Sequence, residues 1–421
     1  MVRIAAADLD LAALLRPGDR IVVGQATAEP LTLTRCLVEE PGLPAGCRIF
    51  LGPLYSDTFL NPPATPLGLE AYGAIGKGAQ LSRQGRLDIL PMPYSALSAG
   101  FATGLLPADC VMIQLAPEGR GYNLGISNDY AVEAARRARL VIAEINPTAP
   151  RCRGGEWPAD IPIHVMVEAE QEPLEVSSLT HGETELAIAA NVASLVPDRA
   201  VLQLGVGAIP QAVAARLTEH RDLGLHSGAL FDGVVDLVER GVVTNAAKEV
   251  EAGVSVGGLL IGSRRLYDFA SGNPAFHLAP PSVTHRLETI ARLTRFCAIN
   301  SAIEVDLTGQ VNAETAQGHY VGAIGGQVDF VRGANASRGG RAIIALPSTA
   351  RGGMVSRVVP QVATVTCSRA DVDAVVTEWG IAELRGLTLR QRADRMIAVA
   401  APQFREDLAR AWRETWSTHH A

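Results

Sequence analysis

The sequence predicts an α/β protein of two domains, each a mainly parallel sheet flanked by helices. Three observations predict it. Short apolar runs closed by glycine or proline recur along the chain with helix-periodic segments between them, the rhythm of strand–helix–strand units. The 421 residues, 48% hydrophobic and 19% charged, can bury a large core and suit two domains. The 41 glycines and 25 prolines are spread along the chain, as many short strand-to-helix turns require.

In order, residues 8–16 read as a helix ended by Pro17-Gly18, and Arg20–Gly24 as a buried strand. Pro30 then opens the helix LTLTRCLVEE, which leaves Glu29 at a strand-to-helix turn, where α/β proteins build sites but where glutamates also cap helices. Arg48–Leu51 is the next strand, residues 55–66 a long loop, and Leu87–Leu90 a short strand after two glycine turns. Asp109–Leu115 and Leu140–Ile145 are mostly apolar and read as buried strands, with Tyr130–Ala138 helical between them. From residue 146 to about 182 the rhythm stops: five prolines and an acidic run from Glu168 to Glu172 place the domain junction here, dividing 1–180 from 181–421.

Glu183–Leu195 reads as a helix, and Val201–Leu204 as the first strand of the second domain. This strand breaks at Gly205-Val206-Gly207, and Pro210 then opens a segment whose apolar residues recur at helical spacing. Such a turn lets backbone approach a ligand closely, and the unbonded N–H groups of a helix's first turn can hold an anion or a developing oxyanion. Next come a strand at Leu223–Leu225, the polar knot His226-Ser227-Gly228, and an amphipathic helix over Asp232–Glu239. The run KEVEAGVSVGGLLIGSRRLYDFA gives a strand and a helix, and Phe296–Ile299 another strand. Beyond it, alternation sets Ala302, Glu304 and Asp306 on one face, an arrangement that serves acid/base work or pairs arginines and caps loops. Gly325-Gly326 is a further glycine turn, Arg341–Leu346 and Asp373–Thr377 are strands, Gly380 begins a turn and helix, and the tail to Trp416 is helical.

Composition excludes several functions. A net charge of −7 lacks the basic footprint of a nucleic-acid binder. Lys77 and Lys248 are the only lysines, so a phosphate clamp would use arginine. The six cysteines show no CxxC spacing and the nine histidines no HxxxH or HExxH spacing, which predicts a reducing, cytoplasmic setting and no metal site. No apolar run is long enough to span a membrane, and the N-terminus carries acids in place of a signal pattern.

The runs QLGVGAIPQAV, DLGLHSGALFDGVVDLVERGVVTN, INSAIEVDLTGQVN, YVGAIGGQVDF, ALPSTARGGMVSRVVP, VVTEWGIAELRG and LRQRADRMIAVAAPQFRE together resemble the acetyl-CoA hydrolase/transferase family, the group of 4-hydroxybutyrate, butyryl and succinyl-CoA:acetate CoA-transferases. GQATAEP, YGAIGKGAQL and DYAVEAARRARLVIAEIN extend the likeness over nearly the whole chain. The resemblance implies two similar domains with the active site in the cleft between them, a homodimer or larger oligomer, and coenzyme A thioesters as substrates with no metal. It implies that Val206, Gly207, Gly325 and Gly326 supply N–H donors to the thioester oxyanion, and that Gly205, Ala208, Ile209, Ile303, Ala350, Gly352 and Gly353 join them in holding coenzyme A.

One motif departs from the family. Its transferases carry a nucleophilic glutamate in a His-Thr-Glu-Met motif that becomes a glutamyl-CoA thioester; this chain reads His226-Ser227-Gly228-Ala229, and glycine cannot form that intermediate. Three expectations follow. Another carboxylate replaces it, Glu304 first, with Glu29 and Glu70 behind. Or an acceptor (carboxylate, alcohol or water) enters beside Gly228 and attacks the thioester directly, with His226 or Glu304 as base. Or the protein binds acyl-CoA without chemistry. The reading adopted is a CoA-thioester enzyme acting on a short-chain acyl-CoA, with transfer to a carboxylate placed ahead of hydrolysis.

Overall fold

The structure, a computed structural model, describes residues 2–417. Two large sheets divide the chain. The first runs in the order Val2–Ile4, Val165–Glu168, Leu140–Ile145, Cys110–Glu118, Arg20–Val23, Arg48–Leu51, Gly68–Ala71, Asp88–Ile89, every pairing parallel. The second runs Phe276–Leu278, Ser255–Leu260, Gly224–Leu230, Val201–Leu204, Phe296–Ser301, Arg341–Ala345, Ala374–Thr377, Gly380–Glu383, parallel except at the last strand.

The two sheets are wound alike. In each, one strand is followed by three strands laid outward on one side, after which the chain returns to build the other side. Arg20–Val23 and Val201–Leu204 are therefore the strands at which the order reverses, and the crevice beyond their carboxyl ends is where open α/β sheets take ligands. Both strands are apolar because helices cover both faces: Ile21, Val22, Val201 and Leu202 are all fully buried.

The halves meet through backbone as well as side chains. Ala74 N–H donates to Gly322 O at 2.8 Å, Tyr94 N–H to Gly325 O at 2.8 Å, Asn128 N–H to Gly258 O at 2.9 Å and Leu260 N–H to Ile126 O at 3.0 Å. The Asp329 carboxylate accepts from the N–H and Oγ of Ser95 at 3.1 and 2.7 Å. One apolar cluster runs across the junction, joining Phe50, Phe101 and Leu115 to Leu204, Leu260 and Ile299.

Three elements differ from the sequence expectation. The proline-rich stretch of little periodicity, read as the domain junction, holds the strand Val165–Glu168, which pairs with Leu140–Ile145 and Val2–Ile4; sheet pairing supplies order that local periodicity did not signal. Gly380–Glu383 is an antiparallel edge strand in place of a helix start, folded back on Ala374–Thr377 through a turn at Gly380, whose φ of 134° suits glycine. The first helix shrinks to Leu11–Leu14, preceded by one 3₁₀ turn at Ala6–Asp8.

Candidate active site

A cavity of about 380 Å³ opens between the sheets at the carboxyl ends of the two switch-point strands. Gln25, Tyr55, Tyr72 and Tyr94 line it from the first half; Gln203 to Val206, Gly228, His285, Asn300 to Ile303, Gly322 to Gln327 and Phe330 line it from the second. No Asp, Glu, Lys or Arg is among its lining residues.

Two helix N-termini converge on it. Gly207, with a φ of 117°, precedes the helix Ala208–Arg216, and Gly326 precedes the helix Gln327–Ala336. Among the described residues no acceptor meets the N–H groups of Val206 and Gly326, both residues line the cavity, and the positive ends of the two helix dipoles favour negative charge there. At the floor, the Gln203 and Asn300 amides bond each other reciprocally, at 3.2 and 2.9 Å.

His285 fills the space between the two glycine walls. A Cβ on Gly228 would lie 2.9 Å from both Cε1 and Nε2 of His285, and one on Gly326 only 2.5 Å from Nε2. Glycine at both positions is what admits the ring. The imidazole is boxed by Tyr94 and Phe330, with ring centroids 4.7 and 4.5 Å away. Its Nδ1 lies 2.8 Å from Thr284 Oγ1, which is also 3.2 Å from Pro280 O. Burial, with a smaller contribution from His226, lowers the His285 pKa to about 3, so the ring is neutral at physiological pH.

His226 stands behind this segment. Strand alternation sends His226 and Gly228 to the same face of Gly224–Leu230. There the buried His226 Nε2–H donates to Thr284 O at 3.0 Å, bracing the turn that aims His285 into the cavity. Burial, then the Lys248 ammonium, lowers its pKa to about 4. Lys248, itself pushed down to about 7 by burial, donates to Leu225 O and Val254 O.

The opposite wall is a tyrosine cluster. Gln25 Nε2 donates to Tyr94 Oη and Asp129 Oδ2 at 2.5 and 3.0 Å, and Gln25 Oε1 accepts from Tyr72 Oη at 2.9 Å. Burial pushes the Tyr72 and Tyr94 hydroxyls well above the usual phenol range.

The cavity thus brings together Gly205, Val206, Gly228, Ile303, Gly325 and Gly326 of the residues singled out in the sequence. Glu304 does not line it: its Oε1 accepts from Asn312 Nδ2 at 3.0 Å. Nor does Asp306, whose Oδ1 accepts from Thr308 N–H and Gln310 N–H at 2.9 and 3.0 Å, so Asp306 caps a turn while Glu304 bonds its cross-strand partner. Glu29 is buried against Thr34 Oγ1, and Glu70 pairs with Arg20 and Arg48. Ala208 and Ile209 lie in the first turn of their helix, while Ala350, Gly352 and Gly353 belong to the hairpin Thr349–Ser356, outside the lining. Sequence reasoning gave no role to His285, Gln203 or the tyrosines. For Gln203, its place in a motif next to the glycine turn was a usable signal; for His285 there was none.

Known proteins share this architecture. Residues 262–412 match the acetyl-CoA hydrolase/transferase C-terminal domain family. The chain is 39% identical over 406 residues to 4-hydroxybutyrate coenzyme A transferase of Clostridium kluyveri, covering 94% of each. It is 33% identical over 414 residues to succinyl-CoA:cyclohexane-1-carboxylate CoA transferase of Geobacter metallireducens, covering 96% of this chain and 94% of that one. The crystal structure of RipA from Yersinia pestis superposes with a TM-score of 0.91 at 31% identity, over 98% of this chain and 97% of that one. By its sequence over nearly its full length and by its fold, the chain belongs to the acetyl-CoA hydrolase/transferase family.

Proposed function

We propose that this protein acts on short-chain acyl-CoA thioesters by a route without a glutamyl-CoA intermediate. The acceptor, a carboxylate or another nucleophile, enters beside Gly228 and attacks the thioester carbonyl directly. The observation that carries this reading is the cavity wall itself: Gly228 lines it and no carboxylate does, and in our reading of the His226-Ser227-Gly228-Ala229 motif Gly228 takes the position of the family's nucleophilic glutamate. The free N–H groups of Val206 and Gly326 supply what the step needs most, donors fixed where charge develops on the carbonyl oxygen. Coenzyme A would enter with its pantetheine arm toward these turns.

Two outcomes of such an attack are separable. A carboxylate acceptor gives transfer; water gives hydrolysis, a second reading favoured by the neutral imidazole of His285 in the wall. Mass spectrometry of the CoA species, after mixing the purified protein with acetyl-, butyryl- or succinyl-CoA with and without carboxylates, tests both. A new acyl-CoA formed only with acceptor means transfer, and free CoA without acceptor means hydrolysis. Thioesters that bind and never turn over would leave a binding protein, and a borohydride-trapped adduct on a protein carboxylate would overturn the direct route.

A further inference from the structure

Residue 228 carries no side chain, and a ring nitrogen occupies the neighbouring space. His285 Nε2 lies 2.9 Å from where a Cβ on Gly228 would sit and 2.5 Å from where one on Gly326 would sit, between the wall of the former and the donor turn of the latter. The ring is held by three contacts: Tyr94 and Phe330 on its faces and Thr284 Oγ1 at Nδ1. An arrangement this constrained aims one atom, Nε2, at the cavity.

Hydrogen-bond accounting assigns the proton. If Nδ1–H donates to Thr284 Oγ1, and that hydroxyl donates to Pro280 O, each buried donor has an acceptor. The other tautomer would put an N–H at Nε2, where the protein supplies no acceptor. The relay through Thr284 therefore accommodates the Nδ1–H tautomer, in which the Nε2 lone pair is left to the cavity.

The lining also selects the acceptor. It carries no charged side chain to offset desolvation of a carboxylate, the N–H groups and helix dipoles that favour negative charge are taken up by the thioester oxyanion, and its tyrosine hydroxyls give up their protons only at high pH. A neutral acceptor bearing a proton enters such a site at lower cost, but it needs a base to become a nucleophile. A carboxylate needs none.

We propose that His285 is the catalytic base of this site and that its acceptor is a proton-bearing oxygen nucleophile, water or an alcohol. The inference rests on the reading of the protein as an acyl-CoA enzyme and narrows it. In the step, the acceptor oxygen bonds to the thioester carbonyl carbon as its proton passes to Nε2. The resulting oxyanion is held by the N–H groups of Val206 and Gly326. Collapse breaks the carbon–sulfur bond, and the departing thiolate takes the proton back from the imidazolium. The products are free CoA and an acid or an ester, with no redox change. The negative charge of the oxyanion beside the ring favours the protonated imidazole during the step, offsetting the burial that disfavours it at rest. His226, bonded to Thr284 O, is a positioning residue for this base.

The test follows butyryl-CoA by mass spectrometry in three arms: H₂¹⁸O alone, added short-chain alcohols, and added acetate. It compares wild type, His285→Gln, Thr284→Val and Thr284→Ser, with binding of a non-hydrolysable thioether analogue of butyryl-CoA measured in parallel. We expect ¹⁸O-labelled butyrate or butyryl ester in the first two arms. His285→Gln should slow both by about 10²–10⁴-fold while the analogue still binds. Thr284→Val should lower turnover and Thr284→Ser restore it, a pair that keeps the test valid if His285→Gln does not fold. A wild-type solvent isotope effect on hydrolysis should vanish in His285→Gln. Turnover in His285→Gln equal to wild type, or turnover in the acetate arm alone, overturns the assignment, as does analogue binding with no turnover in any arm. A wild type that neither binds the analogue nor consumes thioester instead overturns the reading of the protein as an acyl-CoA enzyme.

Discussion

Gly228→Ala isolates the contact on which the site depends. The glycine sits in a strand with ordinary backbone geometry, so by itself the change should help: alanine reduces the freedom of the unfolded chain, worth about 0.4–1 kcal/mol. Opposing this, the new Cβ would lie 2.9 Å from two His285 ring atoms and 3.3 Å from Phe330 Cε2, well inside a normal carbon contact of about 3.5–4.0 Å. The ring is hemmed in by Tyr94 and Phe330, whose ring centroids lie 4.7 and 4.5 Å from its own, and its Nδ1 is tied to Thr284 Oγ1. Overpacking of this kind costs about 1–3 kcal/mol, so the clash should win and leave a net loss of roughly 1–2 kcal/mol. A double-mutant cycle with His285→Ala reads this directly. Gly228→Ala should be destabilising in the wild-type background and neutral or stabilising once the ring is gone, a coupling of about 1–3 kcal/mol in urea denaturation. If Gly228→Ala were as stable as wild type in both backgrounds, the imidazole would not fill this space, and the argument for its aim would fail. The same room predicts that Gly228→Glu combined with His285→Ala accepts a carboxylate at the wall and yields a borohydride-trappable thioester absent from wild type.

Further outcomes follow from groups around the cavity. His226→Ala removes the donor to Thr284 O and should cost about 1–3 kcal/mol of stability and lower kcat more than it raises KM, measured by denaturation and steady-state kinetics. The His226 pKa falls from its usual 6.5 to about 4, so its contribution to stability is complete above pH 6.5 and is lost as the pH falls toward 4. A His226→Gln variant should therefore lose less stability than wild type between pH 7 and 4, by up to roughly 3 kcal/mol. Glu144 behaves oppositely, since burial pushes its carboxyl up to about 7, and its stabilising contribution, full below pH 4.5, is lost as the pH rises through 7. Glu144→Gln keeps an oxygen for the Thr32 and Leu33 N–H groups and should match wild type near pH 5 but exceed it by up to about 3 kcal/mol above pH 8, by thermal melts in matched buffers. Asp329→Ala strips the acceptor from two Ser95 donors at the junction of the halves and should lower stability by about 1–3 kcal/mol; no change would mean that the halves are joined without it.

The sequence by itself determined the α/β class, most of the strands and the glycine turns at Gly205–Gly207 and Gly325–Gly326, because these are local properties. A buried parallel strand must be apolar along its length, and a turn entering a helix at a ligand must spare its side chains. It also determined that residue 228 lacks a nucleophile, since chemistry absent from a side chain is legible without coordinates. Elements defined by pairing were less legible: Val165–Glu168 and Gly380–Glu383 owe their extended backbone to neighbouring strands far away in the chain or across a tight turn. The tertiary structure alone decided which side chains meet. Glu304 and Asp306 share a strand and look like a pair, yet Glu304 bonds the Asn312 amide on the paired strand and Asp306 caps a turn. His226, the histidine beside the altered motif, turns into the protein to hold a carbonyl, while His285, 57 positions after Gly228, supplies the ring that only glycines at 228 and 326 can admit. Strand alternation fixes which face a residue takes, but what covers that face is set by the path of the whole chain.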